Sequence, residues 1–280
     1  MCHEHVMQVV RQRLKQEPQL SRRNFLRAAG ITAAGVAVAS QVSRPRPAFA
    51  QEMSGEIIDL SHILSPDVAV YTGPSVTRET FVTVENDGFY SQIWSFNEHS
   101  GTHVDAPGHF TAGGTLIDSV APAALVGPAV VIDISAKTAD EADAMLTADD
   151  LLAWEADNGE IPAGAFVAMY SGWEERWDDA QAFLNTGEDG LYHFPGFGAD
   201  AIDWLLENRD INGILVDTLS LDVGASQTFD VHINLLGAGK IGVENVANLA
   251  SIIGQQAMVV VGVPRYLEGS GGPCRVLAMV

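Results

Sequence analysis

The chain has 280 residues, 47% of them hydrophobic, enough for a sizeable core, and a formal net charge of −21. The first fifty residues hold eight Lys/Arg and two Asp/Glu, which leaves seven basic and 34 acidic residues in the remainder; so acidic a body argues against nucleic acid or a membrane as partner of the mature chain. Only Cys2 and Cys274 occur, so a disulfide framework and a thiolate metal site are excluded, and any metal ligands should be His and carboxylate.

In chain order, Ser21-Arg22-Arg23-Asn24-Phe25-Leu26-Arg27 carries a twin arginine, followed by the small, mildly apolar run Ala28 to Ala39 and the A-x-A pattern Ala48-Phe49-Ala50. This resembles a twin-arginine export signal. Residues 1–50 are therefore expected to be a signal peptide cut after Ala50, read by the twin-arginine machinery and sending the mature chain to the periplasm or beyond. The run is too short and too rich in Ala and Gly for a membrane span. His3 and His5 fall in the discarded part.

Glu56 to Leu64 reads as a first strand in which His62 alternates with core positions, so a structural role is expected for it. Ser65-Pro66 breaks that strand, and Tyr71-Thr72-Gly73-Pro74 is a loop or turn. Phe81 to Val84 and Gln92 to Phe96 look like short strands joined by an Asn86-Asp87-Gly88 turn.

The second of these strands leads into His-Ser-Gly-Thr-His-Val-Asp-Ala-Pro-Gly-His, residues 99–109. His99, His103, Asp105 and His109 thus fall within eleven residues, and the density points to a metal or proton-transfer site. A neutral imidazole offers a lone pair to a proton or a metal, and a carboxylate among imidazoles suits a borderline divalent ion such as zinc or manganese. Gly101, Pro107 and Gly108 argue against a helix through the run. In an extended segment His103 and Asp105, two apart, point to one side.

Further on, Gly113-Gly114 is a turn, Leu116 to Val120 is short and mixed, and Ala129 to Ile134 is a buried strand. Thr147 reads as the N-cap of a helix with Asp150 at the third position. Phe166 to Tyr170 is a strand, followed by Ser171-Gly172-Trp173 and a polar and aromatic insertion up to Phe197. Trp173, Trp177, Tyr192, Phe194 and Phe197 read first as core, with an aromatic pocket as the alternative. Ala199 to Arg209 is a helix with Ile202, Leu205 and Leu206 on one face. Gly213 to Val216, Ala257 to Val263 and Arg275 to Met279 are apolar strands. Spacing leaves His232 open between core and ligand, and Glu244, taken alone, reads as a solvated helix residue. No long linker and no repeat follows residue 55, so one α/β domain over residues 51–280 is expected.

The run His99-x-Gly101-Thr102-His103-x-Asp105-x-Pro107-x-His109 resembles the signature of the metal-dependent cyclase family, which includes bacterial kynurenine formamidases and isatin hydrolases. The resemblance extends through Ser171-Gly172-Trp173, Asp217 with Ser220 and Asp222, and His232-x-x-Leu235-Leu236 with Glu244. It implies a single α/β swivelling domain, a homodimer or higher homo-oligomer, and a small, aromatic substrate. It also implies that His99, His103, Asp105 and Glu244 bind a first metal, that Asp105 and Glu244 bridge to a second completed by His232, and that His109 donates and accepts the proton. Tyr71 stands near where formamidases place an aromatic against the substrate. Some relatives hold one manganese rather than two zincs, so Zn2+ or Mn2+ at one or two per subunit is expected. The implied activity is hydrolysis of an aryl formamide or a cyclic amide such as isatin. Lactone hydrolysis or cyclisation within the family, and a non-catalytic metal- or ligand-binding protein of the envelope, are the alternatives. A serine hydrolase is disfavoured, since no Gly-x-Ser-x-Gly element occurs, and no Gly-x-Gly-x-x-Gly supports a dinucleotide.

Overall fold

A computed structural model describes residues 55–280. The twin-arginine segment, Ala50, Cys2, His3 and His5 lie outside the described residues. In chain order the strands are β1 (Ile57–Asp59), β2 (Thr77–Val82), β3 (Ser91–Ser95), β4 (His103–Asp105), β5 (Val126–Asp133), β6 (Met145–Leu146), β7 (Phe166–Tyr170), β8 (Gly196–Phe197), β9 (Gly213–Val216), β10 (Ile241–Glu244), β11 (Ala257–Gly262), β12 (Gly271–Pro273) and β13 (Arg275–Met279). The longer helices are α1 (Ala148–Asn158), α2 (Ala199–Asn208) and α3 (Asp230–Gly237).

Nine strands form one sheet in the order β1-β13-β11-β5-β7-β9-β10-β4-β12. Its centre, β5-β7-β9-β10, is parallel, and the pairs outside it are antiparallel. Parallel strands are covered on both faces, so they need apolar side chains at odd and even positions alike. Val130, Ile132, Val167, Met169, Ile214 and Val216 enter one core, together with Leu151 of α1, Ile202 and Leu205 of α2, and Leu235 of α3. The alternate residues Val131, Phe166, Ala168, Leu215 and Val243 enter the other core, with Val259, Val261 and Val276. This is a mixed α/β fold, as the alternation of strands and helices implies.

Local chemistry sets the boundaries. The Asp150 carboxylate accepts from the Thr147 backbone N–H and hydroxyl, both at 2.8 Å, which fixes the start of α1 where the sequence places it. The first strand is shorter than its pattern suggests: only Ile57–Asp59 pairs continuously, and Ser61 makes a single bridge to Val246. The mixed stretch around Leu116 becomes a 3-10 turn, Ile117–Ser119. Cys274 is a free cysteine, and burial pushes its thiol pKa up. No helix among the described residues is long and apolar enough to cross a membrane.

Arg78–Trp94 belongs to a separate compact unit. Strands β2 and β3 form a two-stranded sheet, and Val84–Asp87 between them makes one helical turn. The Thr83 hydroxyl accepts from the Asn86 N–H at 3.3 Å, and Gly88 closes the turn at φ 82°. The sequence places a plain turn there; the capping chemistry of Thr83 makes it helical instead.

Candidate metal centre

Strand register brings the cluster together. In β4, His103 and Asp105 point to one face and Val104 to the other core. Strand β10 pairs with β4 antiparallel, with Glu244 opposite His103 and Gly242 opposite Asp105. Directly opposed residues share a face, so Glu244 meets His103 across the pair. Glu244 is also the last residue of the parallel strand β10, at the carboxyl end where open α/β sheets place their ligands. It is 5% exposed, and its Oε1 accepts from the Leu221 N–H at 3.0 Å. Taken alone, Glu244 reads as a solvated helix residue; the structure makes it a buried strand residue.

His103 Nε2 lies 3.2 Å from Glu244 Oε2 and 3.5 Å from Asp105 Oδ1. His232, on α3, brings its Nε2 to 3.2 Å from Glu244 Oε1 and 3.4 Å from Asp105 Oδ2. His99 Nδ1 is 2.7 Å from Asp105 Oδ1. His109, on the 3-10 turn Pro107–His109, stacks on the His99 ring at 3.9 Å and stands 6.0 Å from the His232 ring. The fold thus gathers His99, His103, Asp105, His109, His232 and Glu244 into one cluster. Tyr71 lies further out, edge-on to Phe229 at 6.0 Å and to Tyr192 at 5.2 Å.

Each inner imidazole is held by its outward nitrogen. His103 Nδ1 donates to the Gly101 carbonyl at 2.8 Å. Gly101 sits at φ +64°, where an added Cβ would also meet Leu64, so the signature needs glycine to aim that carbonyl. His232 Nδ1 lies 2.6 Å from Asp222 Oδ2. His99 Nε2 lies 2.9 Å from the Ser270 hydroxyl, which donates to Glu98 at 3.2 Å. Behind the His99 ring, Gly271 leaves the space that a Cβ would take, 2.8 Å from Cε1. Carbonyl and carboxylate oxygens only accept, so His103 and His232 donate outward from Nδ1 and aim Nε2 at the carboxylates, whereas His99 donates inward from Nδ1 to Asp105.

The electrostatics are tightly linked. Burial pulls the His103 imidazole down, but Glu244, Asp105 and the Gly101 carbonyl outweigh it and hold its pKa up at about 9. Burial acts the same way on His232, and the Asp105, Asp222 and Glu244 carboxylates raise it well above the ordinary value. Asp105 and Glu244 are held down by the imidazoles against burial. His109 is lowered, chiefly by burial.

The residues fit a divalent cation. His103 Nε2 and Asp105 Oδ2 are buried with no directed hydrogen bond, a condition that costs free energy unless a ligand satisfies the atom. Donor atoms of His103, Asp105 and Glu244 lie within 4.8 Å of one another, as do those of His99, Asp105 and His109. A nitrogen-and-carboxylate set of this kind suits zinc or manganese.

Two surrounding features escape sequence reading, one behind His99 and one against His232. Ser270 and Glu98 behind His99 lie 171 and one residue away in the chain, with no spacing that betrays them. Phe110 and Phe229 pack against the His232 ring at 4.6 and 5.9 Å. Asp217, fully buried and pushed up to about 7 by burial, accepts from the N–H groups of Ser171 and Trp173 and ties the ends of β7 and β9 together. Trp173, Phe194 and Phe197 are core, as expected. Trp177 and Tyr192 are partly buried against it. His62 stacks on Trp177 at 3.9 Å, and burial pulls its imidazole down to about 4.

The Cyclase family model matches residues 58–223. An isatin hydrolase of Roseibium aggregatum is 34% identical over 251 residues, covering 82% of this chain and 95% of that protein. A kynurenine formamidase of Salinibacter ruber is 36% identical over 83 residues, 29% of this chain and 39% of that protein. A crystal structure of an isatin hydrolase bound to the product analogue thioisatinate superposes with a TM-score of 0.77 at 30% identity, covering 93% of this chain and 99% of that one. The chain belongs to the cyclase family and resembles its isatin hydrolases and kynurenine formamidases.

Proposed function

We propose that this protein is a metal-dependent hydrolase of a small, neutral aromatic amide, with a cyclic amide of the isatin kind favoured over an aryl formamide. It acts on C–N bonds other than peptide bonds, like the relatives it resembles. The observation that carries the reading is the convergence of three inward imidazole nitrogens on two buried carboxylates beside half-buried His109.

His99, His103, Asp105 and Glu244 would hold a first ion, with Asp105 and Glu244 shared with a second completed by His232. When bound, Zn2+ or Mn2+, at one or two per subunit, supplies a Lewis acid for the carbonyl oxygen and an acidified water as nucleophile. Burial favours the neutral form of His109, so a ring nitrogen takes a proton from the attacking water and returns it to the amide nitrogen as the C–N bond breaks. Phe110, Phe229 and Tyr71 offer aromatic surface outside the imidazoles, suited to a flat substrate.

The charge pattern favours a neutral substrate. Among the described residues, no hydrogen bond or ion pair of the cluster comes from Lys or Arg: Lys137, Arg209, Lys240 and Arg275 pair with Asp150, Glu155, Asp210 and Asp59. Burial chiefly raises the Tyr71 phenol, with Tyr192, Glu244 and Asp222 adding to it. Among the described residues, a substrate carrying its own carboxylate would find no guanidinium clamp beside the cluster.

The test is a panel of isatin, an N-formyl anilide and an aryl lactone, given to chelated and metal-restored protein. Turnover of isatin by restored protein alone is expected. Equal turnover after chelation, or no turnover of either amide, contradicts the reading.

Zinc affinity should also rise with pH. At neutral pH His103, with its pKa near 9, carries a second proton, on Nε2, in ion-free protein, and the ion must displace it. Each displaced proton strengthens binding about tenfold per pH unit up to that pKa. Calorimetry in two buffers should show proton release and tightening from pH 6 to 9; a pH-independent affinity contradicts it.

Export by the twin-arginine machinery to the periplasm or beyond is part of the proposal and rests on Arg22-Arg23 and Ala48-Phe49-Ala50. Assembly as a homodimer or higher rests on the family resemblance.

A further inference from the structure

Helix α3 begins at a residue that cannot cap it. Phe229 occupies the N-cap position at φ 54°, in the left-handed region, and its side chain offers no acceptor. A bulky residue pays a steric penalty there. The first N–H groups of α3 therefore need an acceptor from elsewhere. Asp222 supplies it: its Oδ1 accepts from the Val231 N–H at 3.0 Å and its Oδ2 from the His232 N–H at 3.1 Å. Oδ2 also takes the His232 ring at Nδ1, 2.6 Å away. Asp222 is itself buried, and its backbone is pinned by a bridge to Phe197 of β8.

One carboxylate thus fixes the backbone that carries His232 and the proton position on its ring. We propose that Asp222 is a positioning residue that holds His232 with Nδ1 protonated and Nε2 aimed between Asp105 and Glu244, so that the cation site is assembled before an ion arrives. This rests on the reading of His232 as a ligand. It accounts for the distorted helix start, because a capping side chain at position 229 would take over the N–H groups but could not orient the imidazole. It also explains why Asp222 lies within a loop, Asp217 to Asp222, that ends against β8 rather than at the surface.

The test is a double-mutant cycle read on zinc affinity, by competition with a chromophoric chelator. Asp222→Asn is expected to weaken zinc 10- to 100-fold. In a His232→Ala background the same substitution should change affinity less than about twofold, since the group it acts through is gone. An equal loss in both backgrounds would mean a general structural role and overturn the proposal. A loss in His232→Ala with none in Asp222→Asn would overturn it while leaving His232 a ligand. No loss in His232→Ala would defeat the ligand assignment and the proposal with it. If Asp222→Asn fails to fold, nitrogen-15 shifts of His232 in zinc-free native protein, followed up in pH until the ring is neutral, decide the matter. A protonated Nδ1 in slow exchange supports the proposal, and a protonated Nε2 overturns it.

Discussion

Asp105→Ala is expected to leave purified protein with little bound metal and to lower amide turnover by roughly three orders of magnitude or more, the several kcal/mol that Lewis-acid stabilisation supplies. Asp105 is the centre of the cluster. Its carboxylate is approached by His99, His103 and His232 at 2.7, 3.5 and 3.4 Å, and it belongs to both groups of side chains able to hold an ion. Removing it leaves buried imidazoles without the charge that offsets a dication. Elemental analysis of the purified variant checks the first part, and retention of native metal content would remove Asp105 from the ligand set. The fold should survive, because Val104 and the β4–β10 ladder carry the packing.

His109→Ala should do the opposite to metal content. The variant is expected to keep its ion and lose turnover by about 10²–10⁴, the usual contribution of a positioned proton-transfer group. His109 is half-buried, and its imidazole is lowered by burial below 6.5, so native kcat/KM should fall on the acid side of that value and the variant should lack that limb. Its neighbours make the experiment informative: His99, Asp105 and His109 could themselves hold an ion. Loss of metal from His109→Ala would make it a ligand and require another proton carrier.

The reach of the sequence was set by distance along the chain. Residues 99–109 announced themselves because four functional side chains are adjacent in sequence, and the two-residue step from His103 to Asp105 has a fixed meaning in a strand. Outside the family resemblance, Glu244 carries no such signal. A short segment Ile-Gly-Val-Glu is consistent with either a strand end or a helix, and only the pairing with β4 reveals that position 244 faces His103. Spacing alone leaves His232 open for the same reason, since its meaning depends on Asp222 ten residues before it and on a helix start that breaks the usual capping pattern. Central strands were readable from their apolar runs, because burial on both faces removes the alternation that makes edge segments ambiguous. The first strand reads longer than it is because Ser61 and His62 continue its alternation while their backbone leaves the ladder.

The proposed dication would be caged where β4, β10 and α3 meet. Crystals of the native protein grown with zinc and measured on both sides of the zinc absorption edge test this directly. The expected result is an anomalous peak about 2.0–2.2 Å from ring nitrogen or carboxylate oxygen of His103, Asp105 and Glu244. A peak only elsewhere, or density in which those three side chains bond solely to one another, would contradict it.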